Sequence, residues 1–297
     1  MISLPRCIRN AAIPVGAFAS LGCFTEAWAL DVSPGAYLPA PAGSSIAMLY
    51  LGGGRATEYH PEKGPTVDHD TQLDTRTGLI RLFHMIDVDQ TRVQVQLGLP
   101  FGSQKLKVSG NHVGDDSGLA DPFVAVTAWP LNDTVNKRYL GITGYLFLPQ
   151  GSYDNDSKVN MGNNRYSAAL QAGYVHSFGA WRAELTGDVS WYGDNTESTP
   201  VNRTLKQDPV YTLQPWLSYT FANKVTTSVG LTRTWGGDST LDGVDTGRRS
   251  DSTRARAGLG YWIRPDVQLY SELTRDLQVD GGYKFDYSGF VRIGYFF

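Results

Sequence analysis

The chain has 297 residues, with 26 Lys+Arg against 29 Asp+Glu and a formal net charge of −3. That balance argues against nucleic acid as a main partner, because phosphate binding needs a basic surface. Mean hydropathy is −0.27, and past the first thirty residues no apolar run reaches the roughly 18 residues that a transmembrane helix needs. Aromatics at 12% and 33 glycines leave two classes, a soluble β protein or a transmembrane β-barrel.

Residues 1–29 read as a secretory signal peptide. Arg6 and Arg9 form a basic start, Ala11 to Phe24 an apolar stretch, and Ala27-Trp28-Ala29 a small-residue cleavage site before Leu30. Both cysteines, Cys7 and Cys23, fall in this segment. Residues 30–297, expected to be one barrel domain, therefore contain no disulfide and no Cys-ligated metal.

From residue 43 onward about twelve strand-like segments follow one another. The first, second and fourth, near 43–57, 75–87 and 118–130, alternate least clearly, while in the third, near 91–101, Arg92, Gln94 and Gln96 share one face. The next, near 137–149, ends at Leu148-Pro149. In the segment near 164–177, Tyr166, Ala168, Leu170, Ala172 and Tyr174 oppose Arg165, Ser167 and Gln171. Trp181 to Trp191 is the clearest: Trp181, Ala183, Leu185, Gly187, Val189 and Trp191 alternate with Arg182, Glu184, Thr186, Asp188 and Ser190. Further on, Leu213, Leu217 and Tyr219 oppose Gln214, Trp216 and Ser218. Ala255, Ala257 and Leu259 alternate with Arg254 and Arg256, and Leu269 and Leu273 with Tyr270 and Glu272. Apolar faces bordered by aromatics are what lipid-facing strands require.

Connections alternate in length. Short turns occur around Asp89, Gly179, Ala222 and Pro265. Longer polar loops span Gly151 to Asn163, Gly193 to Leu205 and Gly236 to Ser250, and Gly114 to Gly118 reads as an acidic turn. Short periplasmic turns, long outer loops and an even strand number describe a bacterial outer-membrane barrel. In the last segment Phe297, Tyr295, Ile293, Val291, Tyr287 and Phe285 share a parity, and the terminal Phe297, Tyr295 and Ile293 form an assembly signal for the barrel assembly machinery. The fold class is therefore all-β, a transmembrane antiparallel up-and-down barrel.

The alternate residues then line the lumen: Arg165, Arg182, Glu184, Asp188, Arg254, Arg256, Glu272, Asp286 and Arg292, with inward aromatics Phe123, Tyr145, Phe147, Trp216, Tyr270 and Phe290. Two readings follow. Charges of both signs can close a narrow barrel by ion pairing, which suits a structural or adhesion role. Alternatively, they line a selective passage in which Arg and aromatic side chains screen a hydrophobic or aromatic solute. No plug domain is evident. Enzymatic function is not expected: a barrel hydrolase needs a Ser–His pair, and His176, beside a turn, faces lipid. His60, Glu62, Asp68, His69 and Asp70 cluster in the first outer loop without metal-site spacing, and no cofactor is expected.

Several short strings carry a family resemblance: Asp31-Val32-Ser33-Pro34-Gly35-Ala36-Tyr37, Ser117-Gly118-Leu119-Ala120-Asp121-Pro122, Leu148-Pro149-Gln150-Gly151-Ser152-Tyr153, Asn163-Asn164-Arg165-Tyr166-Ser167 and Trp191-Tyr192-Gly193. They resemble the outer-membrane family named for the meta-pathway of phenol degradation, across most of residues 30–297. The resemblance implies a barrel that helps aromatic compounds cross the outer membrane, with no catalytic residues to carry over. Its expected partners are outer-membrane lipid, the assembly machinery and a small hydrophobic or aromatic solute.

Overall fold

The computed structural model describes residues 30–199 and 202–297, so the expected signal peptide lies outside the described residues. Seventeen strands follow in order: β1 (Ser45–His60), β2 (Gln72–Val88), β3 (Thr91–Val108), β4 (Asn111–Leu119), β5 (Phe123–Asp133), β6 (Arg138–Phe147), β7 (Ser167–Phe178), β8 (Trp181–Tyr192), β9 (Asn195–Ser198), β10 (Arg203–Gln207), β11 (Val210–Thr220), β12 (Val225–Gly236), β13 (Ser239–Leu241), β14 (Val244–Asp245), β15 (Asp251–Arg264), β16 (Val267–Asp280) and β17 (Gly282–Phe296). β1 pairs with β2 on one side and with β17 on the other, which closes an antiparallel barrel. β4 and β5 both pair with β3 and form one broken strand, giving twelve staves. Closure leaves no unpaired edge, the condition for a sheet to cross a bilayer.

The alternation predicts the facing of the central strands. Leu185, Leu213, Leu217, Val229, Leu259 and Ile293 are exposed on the outer wall, whereas Glu184, Thr186, Asp188, Gln214 and Arg256 are buried within. Aromatics border the apolar belt at both rims. Trp181 packs edge-on against Tyr219 at 4.8 Å at the short-turn end, and Tyr211 stacks on Trp235 at 5.8 Å at the other. One short turn has its own lock. Asp133 accepts bonds from the Asn136 N–H at 2.9 Å and Arg138 Nη2 at 2.8 Å. The backbone N–H first, and then the guanidinium, hold its carboxyl well below the ordinary carboxylate range. Because the folded pKa lies below the unfolded one, this contribution is present at neutral pH and is lost as pH falls through the folded value.

The long-loop end departs from the sequence reading in two places. Gly114 to Gly118, read as a turn, belongs to strand β4, which pairs Ser117 with Ser103 and Asp115 with Lys105. β3 and β4 form a hairpin that extends the broken stave beyond the apolar belt, so no lipid-driven alternation marks it. In β17, Tyr287 and Phe285 take consecutive partners, Arg55 and Ala56 of β1, leaving Asp286 as a bulge. A bulge reverses the parity beyond it. Phe285 is therefore 7% exposed and turned inward, while Tyr287 is 60% exposed. Asp286, placed in the lumen by parity, instead accepts a bond from Thr57 at 2.8 Å.

Phe285, Tyr283, Tyr59, Leu73, Leu106 and Val159 form an apolar cluster at this end. β9, β10, β13 and β14 make a small separate sheet from the long loops. The loop between β6 and β7 folds against the β3–β4 hairpin: Asp116 accepts from the Met161 N–H at 2.7 Å. Asp121 accepts from the N–H groups of Gly151 at 2.9 Å and Asn163 at 2.8 Å. Asp121 and Gly151, both in the family-like strings, thus staple the end of a strand to a loop.

Candidate functional site

The lumen holds a plug, contrary to the sequence reading. Residues 30–44 enter the barrel before β1 begins and cross it in a pair of tight turns, with Ala36 N bonded to Ser33 O and Leu38 N to Gly35 O. An irregular backbone at membrane depth needs polar partners, and lumen side chains supply them. Gln214 Oε1 accepts from Val32 N at 2.9 Å, and Trp216 Nε1 donates to Val32 O at 2.9 Å. Gln171 and Gln214 both donate to Leu30 O, at 3.0 and 3.2 Å. Glu184 accepts from Gly35 N with both oxygens, at 3.0 and 2.8 Å. Trp129 Nε1 donates to Tyr37 O at 3.0 Å, and Arg92 donates to Ala40 O.

Tyr37 is the most enclosed plug side chain. Its hydroxyl meets Thr143 and Gln171, each at 3.0 Å. Its ring lies flat across Gly141 and Gly173 of neighbouring strands, in the space where a Cβ at either glycine would sit. We expect Gly173→Ala to lift Tyr37 from this seat at a cost of about 1–3 kcal/mol, as overpacking does. The readout is noisier and larger single-channel current, with the barrel still folded by its heat-dependent gel mobility.

The residues expected in the lumen sort into three groups. In the first, Arg254, Arg256 and Glu272 build an ion-paired cluster around the plug. Arg256 Nε meets Glu272 at 2.7 Å, Arg254 Nε meets Asp276 at 2.8 Å, and Asp31 of the plug approaches Arg254 at 3.4 Å and Arg256 at 3.6 Å. Tyr270 donates to Glu272 at 2.9 Å, and Arg256 lies 4.6 Å over the Trp216 ring. In the second, Arg182 pairs with Glu184 at 2.6 Å beside Gly35. Asp188 is buried, with Oδ2 at 3.4 Å from Gln171 Nε2. In the third, Arg165 stands apart at the long-loop end, bonded to Gln207 at 2.5 Å and 4.5 Å over Tyr192. Tyr145 packs with Phe123 and Phe147 and donates to Gln171 at 3.3 Å. Arg292 donates to Gln268 at 2.7 Å and lies 4.7 Å over Tyr270.

Two of the cavities against the plug are large enough for a small molecule. The outer one, about 200 Å³, is lined by loop residues such as Tyr59, Arg248 and Tyr283 and floored by Leu30 and Asp31. The inner one, about 400 Å³, lies between the plug and the short-turn end and is walled by Tyr50, Phe83, Tyr145, Trp262, Tyr270 and Phe296, with Arg81, Arg182 and Arg292 among them. Sequence reasoning missed Tyr50 and Arg81. Tyr50 lies in β1 and Arg81 in β2, two of the strands whose alternation was weakest, and pairing of β1 to β17, β1 to β2 and β2 to β3 fixes their register.

Two further expectations are addressed by geometry. Ser45 Oγ and His84 Nδ1 lie 2.9 Å apart on the outer wall, a Ser–His contact the sequence did not reveal. Among the described residues no carboxylate orients His84, so the contact lacks the third member of a hydrolytic triad. Of the first-loop cluster, His60 pairs with Glu58 and Asp70 with Lys107, and no metal-holding group forms among the described residues.

Comparison with known proteins agrees with this architecture. The family described as "Putative MetA-pathway of phenol degradation" matches residues 57–292. An outer membrane channel from Pseudomonas putida F1, known from its crystal structure, is 31% identical with a TM-score of 0.85, covering 90% of this chain and 100% of that one. The β domain of the Bordetella autotransporter BrkA shares the barrel fold alone, at 12% identity and a TM-score of 0.52, covering 85% of this chain and 99% of that one. No curated protein matches the sequence. A twelve-stave outer-membrane barrel, matched by the family over most of its length, belongs to the MetA-pathway phenol-degradation family.

Proposed function

We propose that the protein is a passive outer-membrane channel for small hydrophobic or aromatic compounds, with the N-terminal plug setting its resistance. The observation that carries this reading is the inner cavity of about 400 Å³, whose aromatic walls and few convergent polar groups have the composition of a small-molecule site. A twelve-strand barrel is too narrow for a wide aqueous pore, so passage depends on what the lumen tolerates. The relative from Pseudomonas putida F1 is itself described as an outer membrane channel. Lumen residues Arg182, Glu184, Arg254, Arg256 and Glu272 hold the plug in this scheme. Tyr145, Tyr270 and Arg292 face the solute.

A second reading has its own support. Buried ion pairs around Asp31 and a plug bonded on several sides suit a closed barrel with a structural role. Planar-bilayer recording of the refolded chain separates the two. We expect small discrete openings whose amplitude or dwell time changes when benzoate or phenol is added. A folded barrel with neither openings nor a solute effect would leave the structural reading standing.

A further inference from the structure

Three guanidiniums around the plug have a carboxylate partner, whereas Arg81 and Arg292, which line the inner cavity, do not. Arg182 has Glu184, Arg254 has Asp276, and Arg256 has Glu272. Arg81 instead donates to the amide oxygen of Gln96 at 3.1 Å, and Arg292 to that of Gln268 at 2.7 Å. Among the described residues no carboxylate lies within ion-pair distance of either. Arg292 and Gln96 are more than nine-tenths buried. Three donors here are buried without any acceptor: Arg81 Nε, Arg292 Nε and Gln96 Nε2.

These groups are neighbours by register. Tyr50 of β1 pairs with Arg292 of β17, and Met48, two residues along the same face, pairs with Arg81 of β2. Arg81, Gln96 and Arg292 all line the inner cavity, beside the rings of Tyr50, Tyr145 and Tyr270. Arg292 lies 4.7 Å over Tyr270, and Arg81 lies 5.2 Å over Phe83.

Two guanidiniums whose Nε donors are buried without acceptors, beside an aromatic wall, lack an anion. A buried charge without a counter-charge is costly unless something pairs with it. Guanidinium groups favour planar oxyanions that accept two parallel bonds. The tyrosine rings offer an apolar surface for a flat ring held by that anion. We infer that Arg81, Arg292 and Gln96 form a binding site for an aromatic monocarboxylate, with its carboxylate on the guanidiniums and its ring against Tyr50, Tyr145 and Tyr270. The inference rests on the channel reading for its role but not for its test, because binding in detergent requires no passage.

The test is equilibrium binding to the refolded full-length chain in detergent, by calorimetry, with benzoate, benzyl alcohol and acetate as probes. Benzoate is expected to bind saturably and at least tenfold more tightly than either of the others. Benzyl alcohol binding equal to benzoate overturns the anion site, and acetate binding equal to benzoate overturns the aromatic one. Arg81→Gln and Arg292→Gln should each weaken benzoate at least tenfold, whereas Arg264→Gln, on an exposed turn, should not. Unchanged benzoate affinity in both site variants overturns the assignment. The wild-type probe panel decides the question even if a variant fails to fold. Benzoate binding without any effect on conductance would retain this site and remove the passage reading, and a solute effect on conductance without benzoate binding would do the opposite.

Discussion

Deleting residues 30–41, with the first 29 residues left in place, is expected to raise single-channel conductance on the order of tenfold, because ion flow is set by the narrowest polar constriction. The segment crosses the lumen between the inner and outer cavities and lines both. Its bonds to Gln171, Glu184, Gln214, Trp129 and Trp216 hold it across the bore. Without it, the wall side chains would retract toward the strands that carry them. The barrel itself should survive. Arg254 and Arg256 lose Asp31 but keep Asp276 and Glu272, and the twelve staves close without any residue of the segment. Heat-dependent gel mobility would establish that the variant is folded before recording. Wild-type-like conductance in a folded variant would mean that the constriction lies in the outer loops, and the plug would lose its assigned role.

How much of this was legible in the sequence depends on what each strand touches. β7, β8, β11 and β15 were read with the correct face because one side meets lipid and must be apolar, while the other meets polar lumen. That contrast writes a period of two into the chain. β4 has no such contrast: it stands beyond the apolar belt, so Gly114, Asp115, Asp116 and Ser117 read as a turn. The Asp286 bulge was invisible for another reason. An extra residue reverses parity without changing composition, and Phe285 is as apolar inside the outer cluster as it would be against lipid. The plug was the largest omission. Its partners lie more than a hundred residues away for Tyr37 and Gln171, and farther for Val32 and Gln214, and no periodicity links them. One signal was present. Gln171, Glu184, Asp188, Gln214 and Arg256 converge at mid-barrel and together need more hydrogen-bond partners than the wall provides. Something polar had to fill the centre, and Asp31 to Tyr37 was the nearest unassigned polar stretch.

The buried Arg256–Glu272 pair gives the second large expected effect. Neither side chain is more than 1% exposed, and the contact is 2.7 Å. Gln214 Oε1 at 2.7 Å and Thr232 at 3.1 Å satisfy one further nitrogen of Arg256, and Tyr270 satisfies the second oxygen of Glu272. Removing one member should leave the other charged, desolvated and without its main counter-charge, which costs about 3–5 kcal/mol. Glu272→Leu should be the harsher change. It leaves the 3.6 Å approach of Asp31 as the remaining counter-charge of Arg256 and strands the Tyr270 hydroxyl. Arg256→Met should cost somewhat less, because Tyr270 still donates to Glu272. The double variant, with both charges replaced by apolar groups of similar volume, should recover most of the loss, since a buried pair returns little net energy over a well-packed apolar one. Urea unfolding of the refolded barrel in micelles, run as a double-mutant cycle, measures this directly. Additive losses would mean that the two residues act independently and that the cluster is not what holds the plug against β15 and β16. Strong coupling together with normal conductance in the double variant would assign the pair to structure. Coupling with raised conductance would tie it to the plug through Asp31, because Arg256 is the residue that touches both.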